Sequence, residues 1–272
     1  MVTEAWTGGT YGERGRCVLA PNPGIMTLDG TNTWVLREPG SSSSIVVDPG
    51  PLADEHLEAV AEVAGDVEMV VVTHHHLDHT EAARSFAERM GCGVRGLDAA
   101  QCWRADPVRD GEVLSAGALS VEVLTTPGHT SDSISLLVDA DRALLTGDMV
   151  LGRGTTVIVH PDGDLGGYFK SLEKMRALVT SGRVDSLWPA HGPVLPDAGG
   201  VLDYYKVHRE QRLAQVSSAL TKLGITRLPP DVAEDPELPR KVVEIVYSDV
   251  DESLWPAAEW SVRSQLAYLA TR

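Results

Sequence analysis

The chain has 272 residues, 43% hydrophobic and 23% charged, the balance of a folded protein long enough to bury a substantial core. Its 39 acidic against 23 basic residues leave a net charge of −16, which argues against general affinity for nucleic acid or anionic membranes but leaves room for a local basic patch. Three cysteines, Cys17, Cys92 and Cys102, form no C-x-x-C pair, and no apolar run reaches membrane-spanning length, so a cytoplasmic protein without disulfides or membrane attachment is expected.

In chain order, residues 1–15 read as a loose, glycine-rich arm, followed by a strand at Cys17–Ala20 and the turn Pro21-Asn22-Pro23-Gly24. Asn32–Leu36 and Ser44–Val47 read as consecutive strands, the second stopped by Asp48-Pro49-Gly50. Asp54 is positioned to N-cap a helix running to Ala64 and ended by Gly65, and His56 falls on its expected exposed face. The β-branched run Val67–Val72 leads into Thr73–His79, and a helix over Thr80–Met90 is stopped by Gly91. Hairpins follow at Val113–Ser115 with Leu119–Thr125 and at Ile134–Val138 with Ala143–Thr146, then a helix at Tyr168–Val179 and a strand at Val184–Trp188. Two halves of this kind imply two sheets packed face to face with helices outside. Beyond Gly199, the spacing of Tyr205, Val207, Leu213, Val216, Leu220 and Leu223 predicts a long helix, and helices at Glu237–Tyr247 and Ser253–Leu269 follow the break at Pro229-Pro230. The division expected is a catalytic domain over residues 1–198 and a helical appendage over 199–272, with Trp255 and Trp260 in the appendage core.

Chemistry concentrates in His74-His75-His76-Leu77-Asp78-His79, at the carboxyl end of a buried strand, where α/β folds tend to place their sites. Four imidazoles and a carboxylate are costly to bury unpaired, yet they are good ligands for Zn²⁺ and similar ions. Three isolated residues punctuate the second half, each at a strand end beside glycine: His129, Asp148 and His191. Any one of them could be a turn residue. Together with the cluster they amount to a complete two-metal site.

These motifs, Asp48, His74-x-His76-x-Asp78-His79, His129, Asp148 and His191, occur in the order found in the metallo-β-lactamase superfamily, which the chain resembles over residues 16–196. The resemblance implies an αββα sandwich, an α/β arrangement. It also implies that His74, His76 and His129 hold one Zn²⁺, that Asp78, His79 and His191 hold a second, that Asp148 bridges them, and that Asp48 orients a ligand from behind. Asp148 stands where the best-known lactamase subclass has Cys, and His76 stands where flavodiiron proteins have Glu, so antibiotic hydrolysis and a redox iron pair are not the default. Asn22-Pro23-Gly24, Met26–Thr33, Gly154–Val157 and His208-Arg209 look like the beta-lactamase-like protein 2 family, which has a winged-helix-like tail. Members of that family include an endoribonuclease acting on single-stranded RNA, and similar sequences include thioesterases that release polyketides from carrier proteins.

The expectation is a dinuclear zinc hydrolase in which two ions lower the pKa of a shared water to near neutrality, with Asp78 and Asp148 anchoring the metals and orienting the nucleophile. Single-stranded RNA is the first candidate substrate. The alternative is a thioester, hydroxyacylglutathione-like or carrier-bound; a non-catalytic binding protein is disfavoured because all seven ligands are present. His160 reads as a leaving-group acid or a surface turn, and His75 as a residue turned away from the metals. Asn32, with Thr31, reads as a cleft-rim contact or a turn residue. Lys206, Arg209 and Arg212 read as a phosphate-contacting stripe or a solvated helix face. An open basic groove reaching Lys206 and Arg209 would favour RNA; a narrow apolar tunnel would favour acyl substrates.

Overall fold

Strand alternation sorts the side chains into layers. In the computed structural model, which describes residues 5–272, one sheet has the order β1-β2-β3-β4-β5-β6: Gly8–Tyr11, Gly15–Leu19, Asn32–Arg37, Ser43–Val47, Asp66–Val71 and Gly93–Arg95. The second has the order β11-β10-β9-β8-β7, built from β7 (Val113–Ala116), β8 (Leu119–Thr125), β9 (Ile134–Val138), β10 (Ala143–Gly147) and β11 (Ser186–Pro189). Trp34 and Leu36 of β3, Ile45 and Val47 of β4, and Leu136 and Leu145 of the facing sheet meet in the central core. The indoles of Trp34 and Trp188 stack there with ring centroids 4.9 Å apart.

Intervening residues point the other way. Val35, Val46 and Val70 pack against α1 (Asp54–Ala64) and α3 (Ala83–Met90), beyond the short α2 (Leu77–Thr80). Leu137, Leu144 and Leu187 pack against α4 (Leu165–Thr180) and α5 (Ala198–Lys222). Burial on both faces explains why these strands read as continuous apolar runs. The result is a four-layer α/β sandwich with helices on the outside.

Several local expectations change. The described part of the expected arm is not loose: β1 pairs antiparallel with β2, and Tyr11 packs edge-on to Trp34; residues 1–4 lie outside the described residues. Asp54 lies inside the first turn of α1, where its charge favours the helix N-terminus, and Ala53 is the cap without a side-chain bond. Helix α4 starts before Tyr168 because Asp164 accepts bonds from Gly166 and Gly167 N–H groups.

Helix α5 serves two cores. Its first half lends Ala198, Leu202 and Tyr205 to the layer under the second sheet. Its second half lends Val216, Ala219 and Leu220 to a separate cluster with Val242 and Val243 of α6 (Leu238–Val246) and Val262 and Leu266 of α7 (Trp255–Ala270). Trp255 joins that cluster from its edge, whereas Trp260 is 44% exposed and is not a core residue. Among the described residues, no helix is long and apolar enough to cross a membrane. All three cysteines are free.

Candidate metal centre

The centre forms where five strands, β4, β5, β8, β10 and β11, end. After β4 the chain turns at Asp48, whose φ of 50° lies in the left-handed region that Asp tolerates better than most residues. Its carboxylate accepts bonds from the Thr73 N–H and hydroxyl, both at 2.7 Å, and so fixes the chain leaving β5. His74, His76, Asp78 and His79 follow within two turns. Gly128 and Gly147, with φ of 148° and 51°, set the neighbouring His129 and Asp148: a Cβ on Gly128 would sit 2.4 Å from Tyr168 Cα, and one on Gly147 would sit 3.0 Å from the Thr73 side chain. His191 follows β11.

Ligand-type atoms gather in two groups, His74, His76, His129 and Asp148 in one and Asp78, His79 and His191 in the other, all within 4.8 Å of one another in each group. In the first, His76 Nδ1 lies 3.0 Å from His74 Nε2 and 3.1 Å from His129 Nε2. In the second, Asp78 Oδ2 lies 3.1 Å from His191 Nε2 and 3.4 Å from His79 Nε2. Asp148 faces both: Oδ1 is 3.3 Å from His191 Nε2, and Oδ2 is 3.7 Å from His129 Nε2.

The outer ring nitrogens decide which tautomer points inward. Nδ1–H of His79 donates to Asp48 at 2.8 Å, that of His129 to the Val157 carbonyl at 2.8 Å, and that of His191 to the Gly30 carbonyl at 3.1 Å. His74 Nδ1 is 3.1 Å from the Thr73 hydroxyl, which already donates to Asp48 and can only accept. Each of these rings therefore aims an Nε2 at the centre. His79 Nε2, His191 Nε2 and Asp148 Oδ1 are buried there without a hydrogen bond, an arrangement that costs free energy unless a cation completes it. These His and Asp groups are placed for binding metal ions.

Protonation differs between the groups. Burial, with His79 nearby, holds His74 well below the ordinary imidazole value, and burial followed by the proximity of His129 brings His76 to about 4. Burial also lowers His129. In the second group burial opposes the charged form, but Asp48 and Asp148 outweigh it and push His79 well above the ordinary value. Asp148 likewise carries His191 up to about 9. Against the same burial, His191 and His79 hold Asp148 and Asp78 below the usual carboxylate range.

Comparison with known proteins matches this architecture. The model of the metallo-beta-lactamase superfamily fits residues 26–181. The chain belongs to the metallo-beta-lactamase superfamily. A beta-lactamase associated winged helix domain matches residues 239–272. The chain is 32% identical to a beta-lactamase-like protein 2 homolog of Drosophila melanogaster, over 93% of this chain and 86% of that one. It is also 32% identical to an atrochrysone carboxyl ACP thioesterase of Aspergillus fumigatus, over 76% of this chain and 64% of the other. A beta-lactamase domain protein from Burkholderia ambifaria shares the fold, with a TM-score of 0.76, 21% identity and coverage of 99% and 89%. The protein is thus a metal-dependent hydrolase of the metallo-beta-lactamase fold.

Of the other residues singled out from sequence, few reach the centre. His160 does not line the metal cleft; its Nε2 lies 3.0 Å from Glu234 in the appendage, which removes it from the position of a leaving-group acid. Asn32 is no rim contact: it is fully buried, donating to the Pro189 and Gly192 carbonyls and accepting from the Trp6 indole. Thr31 beside it donates to the Asp78 carbonyl at 3.0 Å. Arg209 is buried against Tyr168 and cannot be part of an exposed stripe, while Lys206 is exposed and faces Glu173 at 3.6 Å. His75 turns from the centre to Asp132, 2.9 Å away. His56, expected to be exposed, is buried with Nε2 2.9 Å from the Thr33 hydroxyl, which donates to the Asp48 carbonyl. Backbone carbonyls such as those of Val157 and Gly30 carry no residue-type signal, so no reading of side chains could have found them.

Proposed function

We propose that the chain is a dinuclear zinc thioesterase that cleaves acyl thioesters with an apolar acyl group. One observation carries this reading: the walls of the cleft above the centre. It encloses about 240 Å³ and is lined by Ile25, Met26, Leu28, Leu151, Val157 and Val159. Its single cationic side chain, Arg153, is held by Asp29 at 2.6 Å. This is an apolar recess, not a basic groove. Lys206 lines a different cavity, beside Lys170 and Glu173.

His74, His76 and His129 would hold one ion, Asp78, His79 and His191 the other, with Asp148 shared. Bound divalent ions supply Lewis acidity and a hydrolytic nucleophile at neutral pH. The apolar walls would seat the acyl chain beside the centre, where Asp78 and Asp148 would anchor the ions and orient the nucleophile. Apart from the ligand-type residues, Arg153 is the one titratable side chain among the described residues that line the recess, so they offer no general acid. A thiolate leaves without one, because thiols ionise near pH 8.5. The alkoxide expelled from a phosphodiester is far more basic and needs a proton. The thioesterase relative, the acidic net charge and the absence of a disulfide agree with a carrier- or cofactor-bound thioester met in the cytoplasm.

The test is thiol release from acyl-glutathione, acyl-CoA and acyl-carrier-protein substrates by zinc-loaded protein, run beside labelled single-stranded RNA. Turnover of at least one thioester, faster with longer acyl chains, is expected. RNA cleavage by clean protein with no thiol release would overturn the proposal and restore the nuclease reading.

A further inference from the structure

Two side chains of helix α5, Tyr205 and Arg209, hold the segment that runs between Asp148 and His129. Arg209 lies on α5 four residues after Tyr205 and seven after Leu202, on the face packed under the second sheet, and only 4% of it is exposed. One guanidinium N–H donates to the Thr156 carbonyl, the guanidinium carbon stands 5.1 Å from the Tyr168 ring centroid, and Nε–H meets no acceptor. Burying a cation this way is costly, and a methionine would fill the space at lower desolvation cost. What the guanidinium adds is its bond to Thr156.

That bond ends beside a ligand-type residue. The Thr156 hydroxyl is 3.1 Å from His129 Nδ1, and the next carbonyl, Val157, accepts the His129 Nδ1–H. The start of the same segment is held from the same side. The Tyr168 hydroxyl donates to the Met149 carbonyl at 2.6 Å, and the Tyr205 hydroxyl accepts from the Leu151 N–H at 2.9 Å. The chain thus leaves the sheet at Asp148, is pinned at Met149, Leu151 and Thr156, and returns to touch His129.

We infer that Arg209 is a positioning residue for the metal centre, holding residues 149–157 so that His129 keeps its inward tautomer and Asp148 its place between the two groups. It acts through Thr156 and touches neither ion nor substrate. A simple bolt between the appendage and the sandwich would contribute to stability and leave metal affinity alone.

The experiment measures Zn²⁺ affinity by chelator competition and the visible spectrum of the Co²⁺-loaded full chain. Wild type is compared with Arg209→Met, Arg209→Lys and Thr156→Val, with thermal midpoints recorded alongside; neither metal readout depends on the substrate. Arg209→Met should weaken one Zn²⁺ by 10- to 100-fold, the usual range for an outer partner of a ligand, and alter the Co²⁺ bands. Arg209→Lys, which still reaches a carbonyl, should recover part of the loss, and Thr156→Val should weaken the same ion less. A folded Arg209→Met protein with wild-type affinity and spectrum would overturn the inference, even if it melts earlier. Should that variant fail to fold, Arg209→Lys decides: unchanged affinity and spectrum would overturn the inference, and a loss of affinity would support it.

Discussion

The two ligand groups are built from the same residue types and end in opposite states. His74, His76 and His129 share one carboxylate, Asp148, and burial keeps them neutral, with His76 at about 4. His79 and His191 lie among Asp48, Asp78 and Asp148, and their protonated forms persist, with His191 up to about 9. Imidazole count therefore does not set the character of a half-site; the number of carboxylates facing each ring does. The first group presents lone pairs in advance. The second must release protons as it takes up an ion.

Asp148→Ala removes the one residue that faces both groups, so the contrast should collapse. Losing several kcal/mol of charge stabilisation at the reacting atoms corresponds to roughly a thousandfold or more in kcat/KM. Metal analysis should fall below two equivalents. A variant that keeps two equivalents and its activity would mean that the groups are independent.

Asp48→Asn is aimed at one side alone. It leaves the Asp48 shape but removes the charge that holds His79, and the expected outcome is a 10- to 100-fold loss of affinity for the second-group ion with the first unchanged. Equal weakening of both ions would show that Asp48 acts through the Thr73 turn and not through His79.

The residues of the centre could be read from the sequence, and the difference in protonation between its halves could not, because it depends on which carboxylates face each ring. Four ligand-type residues cluster in His74–His79, His129, Asp148 and His191 stand alone at strand ends beside glycine, and the apolar runs Ile45-Val46-Val47 and Val70-Val71-Val72 mark strands buried on both faces. Asp48 was expected behind the ligands through family resemblance. The burial of Arg209 and His56 has a signal in the sequence: Arg209 shares the helical face of Leu202, Tyr205 and Val216, and His56 lies four residues from Val60 and eight from Ala64. The place of Asn32 has no such signal, since a strand buried on both faces has no polar side that marks orientation, and its amide donates to backbone carbonyls. The hairpin of β1 carried a weak pattern because four glycines occur between residues 8 and 15.

Acidity gives a third test. Protons compete for nitrogen lone pairs, so affinity for the second-group ion should rise about tenfold per pH unit for each proton displaced, up to about pH 9. The first ion should load several pH units lower. Metal-free protein should behave differently. His76, lowered from 6.5 to about 4, contributes stability present above pH 6.5 and lost as pH falls through 4. His191, raised from 6.5 to about 9, contributes stability fully present below 6.5 and lost as pH rises through 9. Thermal midpoints without metal should peak near pH 6.5, and zinc should move the peak upward. A peak that stays put would contradict the assignment of the protons to the second group.

The smallest expected effect, and the finest probe of the contrast, comes from Thr31→Val. The Thr31 hydroxyl donates to the Asp78 carbonyl at 3.0 Å, and the Asn22 side-chain amide donates to it, also at 3.0 Å. Valine keeps the shape and removes both bonds, so roughly 1 kcal/mol of stability should be lost. Asp78 belongs to the second group, and the adjacent Gly30 carbonyl fixes His191. A loop loosened at Thr31 should therefore weaken the second-group ion a few-fold, the size that about 1 kcal/mol allows. His129 is held from the opposite side by Val157 and Thr156, so the first ion should bind as in wild type. If Thr31→Val weakens both ions equally, the two supports are mechanically one. If only the second ion responds, each half of the centre has its own wall: residues 22–32 for His191 and Asp78, and residues 149–157 for His129.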